Sequence, residues 1–513
     1  MSLGRASRLA LLALLAVWAL APIAALVAHA ISTGDRLTGA DGVVAGDQLQ
    51  YLAWARDAGS HGLAGNLFDL TPSVRDYLQP LFTITGALWR VGLPMAAAYW
   101  LWKPVAVAVL FAGTAAWAAR LAPQDARGRW AIIALGLFLF TPLAAIYGWA
   151  ALGPPSLHDN LPALAGELFS AGELWGYLPT AIAIGLMPVV LLACERAIGH
   201  DRRRGERHCT ALAGAAALLI AWLHPWQGVT LILLLAGLGI WSTWAERRVL
   251  VWPLLGAAIP LLYYLLLDRL DPAWKLAAHN DVVARLPALA LLAGLAPILI
   301  LAAVGLRRPG RDMIERALLL WVVAVFATYF LVSAFPSHAF EGLSLPLSVL
   351  AVRGARRLRL PTIAGVLLVA AVTVPGILYE ARAFKRIAAS SAQQFYLSPS
   401  DARALDWIAD EAPPGPVLAR TIIAVGVPSQ TDRSVWVGHE FWSRDYRIRA
   451  ALADDVFDGG LTPALTRLVV LRSGVRLVLS DCGARRDPGP AIAPIVRSER
   501  RFGCATVYVI RRR

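Results

Sequence analysis

The sequence predicts an α-helical polytopic membrane protein with about eleven transmembrane helices and a small soluble α/β domain at its C-terminal end. Of its 513 residues, 58% are apolar and only 16% are charged, which is outside the usual range of soluble chains. Apolar runs of about 20 residues, long enough to cross a hydrocarbon core, recur over the first three quarters of the chain. The last quarter instead alternates strand and helix patterns.

Eleven apolar runs predict the spans. They cover residues 9–30, 96–119, 130–149, 176–194, 210–223, 229–245, 249–267, 286–306, 317–335, 339–352 and 361–379. The fifth and tenth runs are short for a full crossing, so each is either a half-helix or a span extended by its polar flank. Residues 78–92 contain Arg90 and are expected to form a helix that lies at the membrane interface or re-enters it.

Arginine positions predict the orientation in the cell membrane, because cytoplasmic loops retain Lys and Arg. Arg5 and Arg8 place the N-terminus in the cytoplasm. Further arginines recur at every second connection, namely at 120/127/129, 202–204/207, 247/248, 307/308/311 and 353/356/357/359. Residues 31–95, residues 150–175 and the segment after 380 are therefore expected on the outer side.

Two further features, the N-terminal run and the charge, narrow the class of protein. The run ends in Ala-His-Ala at 28–30, which resembles a signal-peptidase site, but its length favours an uncleaved anchor over a removed signal. The net charge of +14 resides mostly in the cytoplasmic turns. No basic stripe with interleaved aromatic residues marks a soluble domain, so the sequence predicts no nucleic-acid partner.

The region 391–513 is expected to fold as a soluble extracytoplasmic α/β domain after a transmembrane domain at 1–390. A polar cap, apolar residues at helical spacing and a Pro-Pro-Gly stop predict a helix within 398–415. Strands are predicted at 416–420, 434–438, 475–480 and 504–510, and helices at 444–457 and 461–472. The region contains no nucleophile elbow, Walker loop or dinucleotide fingerprint, so it is assigned no chemistry, and His439 is interpreted as a loop histidine.

The four cysteines carry little functional information. Cys194 and Cys209 flank a predicted cytoplasmic turn, where thiols stay reduced. Cys482 and Cys504 lie in the predicted outer domain, where they either pair or stay free. No spacing typical of a metal site, such as Cys-x-x-Cys, is present.

The informative polar residues gather in four connections on the predicted outer side. They are Asp35, Asp41 and Asp47; His158, Asp159, Asn160, Glu167 and Glu173; His224 and Gln227; and His338 and Glu341, to which Lys103 adds a cation at similar depth. If compact spans bring these connections together, carboxylates, imidazoles and an ammonium group meet in one outer pocket at the lipid boundary. A carboxylate there can take a proton from an attacking hydroxyl, while His or Lys stabilises charge on a departing phosphate.

Each of these residues also has a purely structural interpretation. Asp47 precedes Tyr51 and Trp54 at helical spacing, so it is a helix N-cap, a functional group, or both. Structural interpretations of the others are a turn for His224, an interfacial hydrogen bond for His338, a loop-helix cap for Asp159 and, as the favoured choice, snorkelling to the headgroups for Lys103.

The order of parts resembles the GT-C type glycosyltransferases, polytopic enzymes that use polyprenyl-phosphate-linked sugars. The resemblance rests on Asp47 and Tyr51 as an Asp-x-x-x-Tyr motif in the first outer loop, on residues 78–94, and on "FPSHAFEGLSLPLSVLAVRG" at 335–354. It implies that Asp47 is the catalytic base or orients the acceptor hydroxyl, and that the acceptor is a glycan, a lipid or a protein. The convergence of the polar connections and this resemblance together give the predicted substrate-binding residues, which are Tyr51, Lys103, His158, Asp159, His224, Gln227, His338 and Glu341.

Two departures from the family pattern affect the phosphate and metal assignments. Gly46-Asp47-Gln48 stands where many members have paired acidic residues, and His338-Ala339-Phe340 stands where many have Arg-Tyr or Arg-Phe. A histidine or Lys103 would then have to bind the phosphate. The resemblance makes no cofactor certain, but related oligosaccharyltransferases hold a divalent cation with acidic residues, which Asp47 with Asp159 or Glu167 would imitate for Mg or Mn.

A transporter or lipid flippase of the cell envelope is the main alternative, because many spans and outer polar residues also suit a channel mouth. Few ionisable residues lie at mid-membrane depth and no internal repeat is visible, which favours an enzyme. A structural or assembly protein of the envelope is a third alternative. The change Asp47→Asn separates these classes, because an enzyme loses turnover whereas a flippase keeps much of its transport.

Overall fold

A computed structural model of the chain describes residues 2–71, 73–150, 155–199, 203–307, 312–390 and 392–511. Its α-helices in the first half of the chain are α1 Ser2–Thr33, α2 Ala45–His61, α3 Pro80–Arg90, α4 Met95–Trp100, α5 Trp102–Leu121, α6 Ala126–Phe138, α7 Pro142–Ala150, α8 Pro155–Leu168, α9 Leu178–Gly199, α10 Arg203–Leu223, α11 Pro225–Ile240 and α12 Trp244–Leu270. They continue as α13 Pro272–Asn280, α14 Ala288–Gly305, α15 Met313–Leu331, α16 Ser344–Arg357, α17 Thr362–Ala371, α18 Val374–Ser390, α19 Ala392–Phe395, α20 Pro399–Asp410, α21 Thr421–Ala424, α22 Val427–Thr431, α23 Tyr446–Asp458, α24 Pro463–Ser473 and α25 Gly489–Ile492.

Strands and 3-10 helices are few and short. The strands are β1 Arg36–Leu37, β2 Tyr396–Leu397, β3 Val417–Leu418, β4 Leu477–Ser480, β5 Val496–Phe502 and β6 Ala505–Ile510. The 3-10 helices are Gly172–Leu174, Pro336–Phe340 and Ala493–Ile495. The fold is therefore mainly α-helical, as the composition predicts.

The chain divides into two compact units. The helical unit comprises Met1–Ala21, Trp102–Leu265 and Val282–Lys385, and the mixed unit comprises Pro22–Leu101, Leu266–Asp281 and Arg386–Arg513. The C-terminal segment thus shares a unit with two segments that precede it in the chain. The predicted domains at 1–390 and 391–513 stay a prediction.

Seven helices among the described residues are long and apolar enough to cross a membrane. They are Ala6–Thr33, Met95–Leu121, Leu178–Gly199, Trp244–Leu270, Ala288–Gly305, Met313–Leu331 and Thr362–Lys385, and each overlaps a predicted span. The four other predicted spans coincide with shorter or more polar helices, which are α6 with α7, α10, α11 and α16. A polytopic membrane protein is confirmed, while the number of eleven spans stays a prediction.

The predicted span 130–149 is interrupted in the structure. Helix α6 ends at Phe138 and α7 begins at Pro142. Leu139 has extended backbone angles, and Thr141 disfavours the helical region because it precedes a proline. The freed N–H of Phe140 donates to the carbonyl oxygen of Val372 at 2.8 Å, so the break is satisfied within the helical unit.

Small residues and ion pairs hold the helical unit together. Helices α5 and α9 approach closely through Gly113 and Gly185, where a Cβ atom on Gly113 would collide with the Gly185 carbonyl oxygen. At one end of these helices Arg120 bridges Glu195 of α9 and Asp312, the N-cap of α15, with N–O distances of 2.5 and 2.7 Å. The bridged carboxylates belong to two different helices, so this guanidinium fixes their relative positions.

A four-stranded sheet in the order β3-β4-β6-β5 forms the centre of the C-terminal part of the mixed unit. Strands β3 and β4 are parallel, and the pairs β4–β6 and β6–β5 are antiparallel. Helices α23 and α24 contribute Phe457 and Val470 to a buried core that also contains Val478 and Tyr508 of the sheet. This arrangement confirms the predicted small α/β fold.

The strand prediction was wrong at two places. Residues 434–438 form no strand of the sheet but a single bridge from Val435 to Val417, and the Val435 N–H donates to the carbonyl oxygen of Leu67. Strand β5 was missed because its sequence, VRSERRF, is highly charged and lacks apolar alternation. It is an edge strand that is exposed over most of its length, where charge is favourable.

Cys482 and Cys504 form a disulfide, with Cα atoms 4.9 Å apart. The pairing resolves the alternatives that the sequence left open. Cys194 and Cys209 are free thiols.

The segment predicted at the interface, 78–92, forms α3 in the mixed unit. Its N-cap Gln79 accepts a hydrogen bond from the Phe82 N–H, and Pro80 occupies the first helical position. Helix α3 packs against α2, the helix that carries Asp47, through close contact between Gly59 and Gly86. Asp47 therefore lies on one helix of a closely packed pair, α2 and α3.

Candidate functional site

Asp47 lies in the first turn of α2, with its side chain 28% exposed. The N-cap of this helix is Val44, which makes no side-chain capping bond, so the N-cap interpretation of Asp47 was wrong. A carboxylate in the first turn is stabilised by the helix dipole. The Asp47 side chain is also partly open to solvent.

His439 is the partner of Asp47 in the mixed unit. Its Nε2 lies 3.1 Å from Asp47 Oδ1, and the histidine is only 5% exposed. Its Nδ1 accepts a hydrogen bond from the Phe441 N–H at 3.3 Å, which assigns the ring proton to Nε2. His439 is therefore a neutral donor to the Asp47 carboxylate.

A network of short contacts fixes the loop that carries His439. The Gly438 N–H donates to Ser443 Oγ at 3.0 Å, and that hydroxyl donates to the Phe68 carbonyl oxygen at 2.8 Å. Asn66 donates through Nδ2 to the Trp442 carbonyl oxygen at 2.9 Å. These bonds join two segments of the mixed unit that are distant in sequence, and they hold the imidazole in register with Asp47.

Tyr51 lies one helical turn after Asp47 and is half-buried. Its ring stacks on Phe82 of α3 with centroids 5.0 Å apart. The neighbouring Trp54 contacts Trp442 edge-on at 5.1 Å, and Trp274 contacts Trp442 at 5.0 Å. Asp47 is thus followed along α2 by a surface of aromatic rings.

A second cluster lies in the helical unit and consists of His224, His338 and Glu341. Glu341 Oε2 lies 2.8 Å from His224 Nε2, and Glu341 Oε1 lies 2.8 Å from His338 Nδ1. Gln227 donates through Nε2 to the Glu341 carbonyl oxygen at 2.6 Å. The structure therefore brings together four of the predicted site residues, from the third and fourth polar connections.

Local sequence explains why these side chains point at one another. His224 is the N-cap of α11 and accepts from the Gln227 N–H at 3.4 Å, with Pro225 in the first turn. Phe335 has φ of +40°, a left-handed conformation that costs free energy for a bulky residue. This turn begins the 3-10 helix that carries His338.

Glu167 of α8 extends the cluster. Its Oε2 lies 3.1 Å from His338 Nδ1, and its Oε1 accepts a hydrogen bond from Ser337 at 3.0 Å. The sequence placed Glu167 among the outer polar residues but did not assign it to substrate binding. Its proximity to His338 depends on the packing of α8 beside the 3-10 helix, which no local pattern shows.

The buried charges of this cluster shift one another's pKa. Burial opposes ionisation of Glu341, but His224 and His338 outweigh it and hold its pKa below the ordinary value. Burial would lower the pKa of His338, yet Glu167 and Glu341 raise it well above its ordinary value. Burial raises the pKa of Glu167, and it raises the pKa of nearby Glu173 well above its ordinary value. The two carboxylates therefore favour the protonated form of His338.

The same cluster offers ligand types that suit a metal ion. One atom from each of His224, His338 and Glu341 lies within 4.8 Å of the others, and two imidazoles with a carboxylate suit Zn²⁺. The buried Gln227 Oε1 has no hydrogen-bond partner among the described residues. Against a metal, the Gln227 N–H contact to His224 Nδ1 leaves the ring proton on Nε2, where the ion would bind.

The remaining predicted site residues are placed as follows. Lys103 is fully buried and donates through Nζ to the Leu174 carbonyl oxygen, so the snorkelling interpretation was wrong. His158 is half-buried in α8. Asp159 belongs to the same helix, but its side chain lies outside the described residues. The assignment of all these residues to a substrate site stays a prediction.

His439 is the residue of interest that the sequence analysis missed. Its one signal was a Gly-His pair after a predicted strand, which is typical of a loop histidine. Nothing in the local pattern indicates Asp47 as its partner, because the two residues lie 392 positions apart.

No protein-family profile matches the chain, and no curated protein matches it. Among solved structures, the chain is similar to the oligosaccharyltransferase of Archaeoglobus fulgidus in the apo form, with a TM-score of 0.54 and 12% identity over 95% of this chain and 72% of that chain. The same enzyme tethered to an acceptor peptide gives a TM-score of 0.53 and 13% identity, over 98% of this chain and 74% of that chain. ArnT from Cupriavidus metallidurans bound to undecaprenyl phosphate gives a TM-score of 0.49 and 13% identity, over 95% of this chain and 98% of that chain. The likeness to the archaeal enzyme confirms a GT-C type fold.

Proposed function

We propose that the chain is a membrane glycosyltransferase that moves a sugar from a polyprenyl-phosphate donor to an acceptor outside the cytoplasm, with Asp47 as the base. One observation supports this most: within a GT-C fold, a partly exposed carboxylate on a rigid helix accepts a hydrogen bond from a neutral, buried histidine. Such a carboxylate is oriented by its donor and reaches solvent, as a general base for an acceptor hydroxyl requires.

The proposed reaction is a displacement at the anomeric carbon. Asp47 takes the proton of an acceptor hydroxyl, whose oxygen forms the new bond to that carbon. The bond from the carbon to the phosphate oxygen breaks, and the electron pair leaves with the polyprenyl phosphate. His439 keeps the carboxylate in place during proton transfer, and the proton on Asp47 is later lost to water.

For the helical unit by itself, we propose that its cluster binds an anionic group such as a phosphate. His338 is held as a cation by two carboxylates, and an imidazolium donor is suited to a phosphate oxygen. The related archaeal oligosaccharyltransferase has been solved with dolichol phosphate and an inhibitory peptide. We carry over only the class of donor, a polyprenyl phosphate, while the acceptor is a glycan, a lipid or a protein.

A divalent cation at the same cluster is the finer part of the proposal. The nitrogen donors of His224 and His338 suit Zn²⁺ or Mn²⁺ better than Mg²⁺. A bound ion would attract an anionic group such as a phosphate. Because an imidazole nitrogen binds a metal ion only when it carries no proton, metal and proton compete, and we expect metal content after equilibrium dialysis to rise with pH. A metal content that is unchanged in the Glu341→Gln variant would contradict this assignment.

The proposed location is the cell membrane, with the N-terminus in the cytoplasm and the C-terminal segment outside. The arginine distribution supports this orientation. Cysteine-accessibility labelling of intact cells tests it, with one reporter cysteine introduced at Ser498 of the exposed strand β5. We expect Ser498→Cys to be labelled in intact cells, and the native free thiol of Cys209 only after the membrane is opened. Labelling of Ser498→Cys only after opening would overturn the orientation.

The decisive experiment supplies membranes containing the chain with radiolabelled polyprenyl-phosphate sugars. Transfer of label to a water-soluble, lipid or protein acceptor supports the enzyme, and its loss in Asp47→Asn with unchanged donor binding assigns the base. Movement of labelled lipid between leaflets without a new glycosidic bond would instead indicate a flippase and overturn the proposal.

A further inference from the structure

A surface groove of about 730 Å³ lies between α10 and α12 of the helical unit. Its floor is formed by small residues, and its walls by larger apolar side chains of the two helices. The apolar residues that line it are Ala211, Gly214, Ala215, Leu218, Val249, Trp252, Leu255, Gly256 and Ile259. None of these residues belongs to the two clusters described above.

The groove arises from a close crossing of the two helices. A Cβ atom on Gly256 would collide with the Gly214 carbonyl oxygen, so the helices touch through backbone at this point. Beyond the crossing, Trp252, Leu255 and Ile259 are 60%, 51% and 58% exposed. Exposed apolar side chains along a span face acyl chains, so the groove has the surroundings of a lipid site.

Charged residues lie at one end of the groove only. Arg207 and Arg248 line it there, together with Glu206, so the charged lining sums to one net positive charge. Trp244, which is 69% exposed, lies beside Arg248 with the guanidinium 5.6 Å from its ring. An exposed Trp and Arg at the start of a span mark the membrane–water interface.

We propose that this groove binds one anionic phospholipid of the surrounding leaflet. The headgroup phosphate lies between Arg207 and Arg248, and an acyl chain follows the apolar floor past Gly214. Guanidinium groups match phosphate geometry, and basic pockets between membrane helices are suited to anionic headgroups. The single net charge favours a headgroup with one negative charge, such as phosphatidylglycerol. This inference does not depend on the proposed glycosyl transfer.

Native mass spectrometry of the full-length protein in detergent, titrated with phosphatidylglycerol or phosphatidylcholine of the same acyl chains, tests the charge. We expect preferential retention of one phosphatidylglycerol, and a loss of that preference by about fivefold for each of Arg207→Ala and Arg248→Ala. Arg247→Ala is the matched control, because Arg247 bonds to the Gly239 carbonyl oxygen and does not line the groove.

A second pair of variants tests the groove itself. Ala215→Trp places a bulky ring in the groove and should abolish retention of the lipid. Leu212 lies on an exposed position of the same helix outside the groove, so Leu212→Trp should leave retention unchanged. Equal retention of the two lipids, or retention unaffected by both the arginine variants and Ala215→Trp, would overturn the proposal. A dimer that Ala215→Trp dissociates would also overturn it, because the groove would then be an interface between two copies.

Discussion

The two units use the same residue types, histidine and carboxylate, in different ways. In the mixed unit one neutral His439 donates to one partly exposed Asp47. In the helical unit two histidines, His224 and His338, surround the buried Glu341. The comparison shows that the same two residue types form a partly exposed pair in one unit and a buried cluster of several charges in the other.

The energetic consequences differ in the same way. A buried charge cluster is stable only as a whole, because removing one partner leaves an uncompensated charge in a medium of low polarity. The pair in the mixed unit is partly solvated on the Asp47 side, so its loss leaves no buried charge. We therefore expect variants of the pair to affect turnover, and variants of the cluster to affect folding first.

The largest expected effect is that of Asp47→Asn on turnover. Removing a general base lowers kcat by about 10²- to 10⁴-fold. The thermal unfolding temperature should stay within about 2 °C, because a surface substitution rarely costs more than about 0.5 kcal/mol. Transfer of radiolabelled sugar measures the change in kcat. The control is Asp35→Asn, in the segment that precedes α2. A large drop in stability with unchanged turnover would contradict the expected difference between the Asp47–His439 pair and the buried cluster.

Glu341→Gln should give the largest loss of stability. The substitution leaves the cation on His338 with only Glu167, and breaking a buried ion pair costs about 3–5 kcal/mol. Thermal unfolding of the purified protein measures this loss. Glu411→Gln is the matched control, since Glu411 forms an exposed pair with Arg500 that should contribute little. Unchanged unfolding in Glu341→Gln would show that the cluster is not a coupled network.

Reduction of the Cys482–Cys504 disulfide should destabilise the mixed unit alone. A bond between residues 22 positions apart stabilises by about 3 kcal/mol. Hydrogen exchange measured with and without a reductant should therefore increase in the sheet of the mixed unit and not in α9 of the helical unit. Cys209→Ser is a control for thiol loss. Equal increases in both units would show that their stabilities are coupled.

His439→Phe should lower turnover by about 10- to 100-fold. This fold-change corresponds to the free energy of one hydrogen bond to a charged group. His439→Gln keeps an N–H donor and should recover part of that loss, which distinguishes a positioning role from general packing. Steady-state rates at saturating donor measure both variants. If Gln and Phe have the same effect, His439 does not orient Asp47 through its hydrogen bond.

The smallest expected effect is a pH dependence specific to the helical unit. Because the pKa of His338 is raised in the folded state, its contribution to stability is fully present below the ordinary histidine pKa and is lost as pH rises through the folded value. Unfolding temperature should therefore stay level below about pH 6.5, the ordinary histidine pKa, and decline as the pH rises above it. His338→Gln should remove this decline, and its persistence would assign it to another group.

Much of the fold could be predicted because its signals are local. A run such as 176–194 predicts a span from its own transfer free energy, and α9 occupies it. Strand β5 could not be predicted this way, since an edge strand accepts the charged residues that are typical of a loop. The broken span at Leu139 depended on a proline that the hydropathy of the run concealed.

The site shows the same division. The sequence alone determined that Asp47 and Tyr51 lie one turn apart on a helix, because helical periodicity relates residues three and four apart. Only the tertiary structure decided that Asp47 meets His439, 392 positions away, and that Glu341 lies between two histidines of different elements. Contacts over such separations depend on the packing of whole elements. These long-range contacts therefore cannot be derived from the helical periodicity or hydropathy of individual segments.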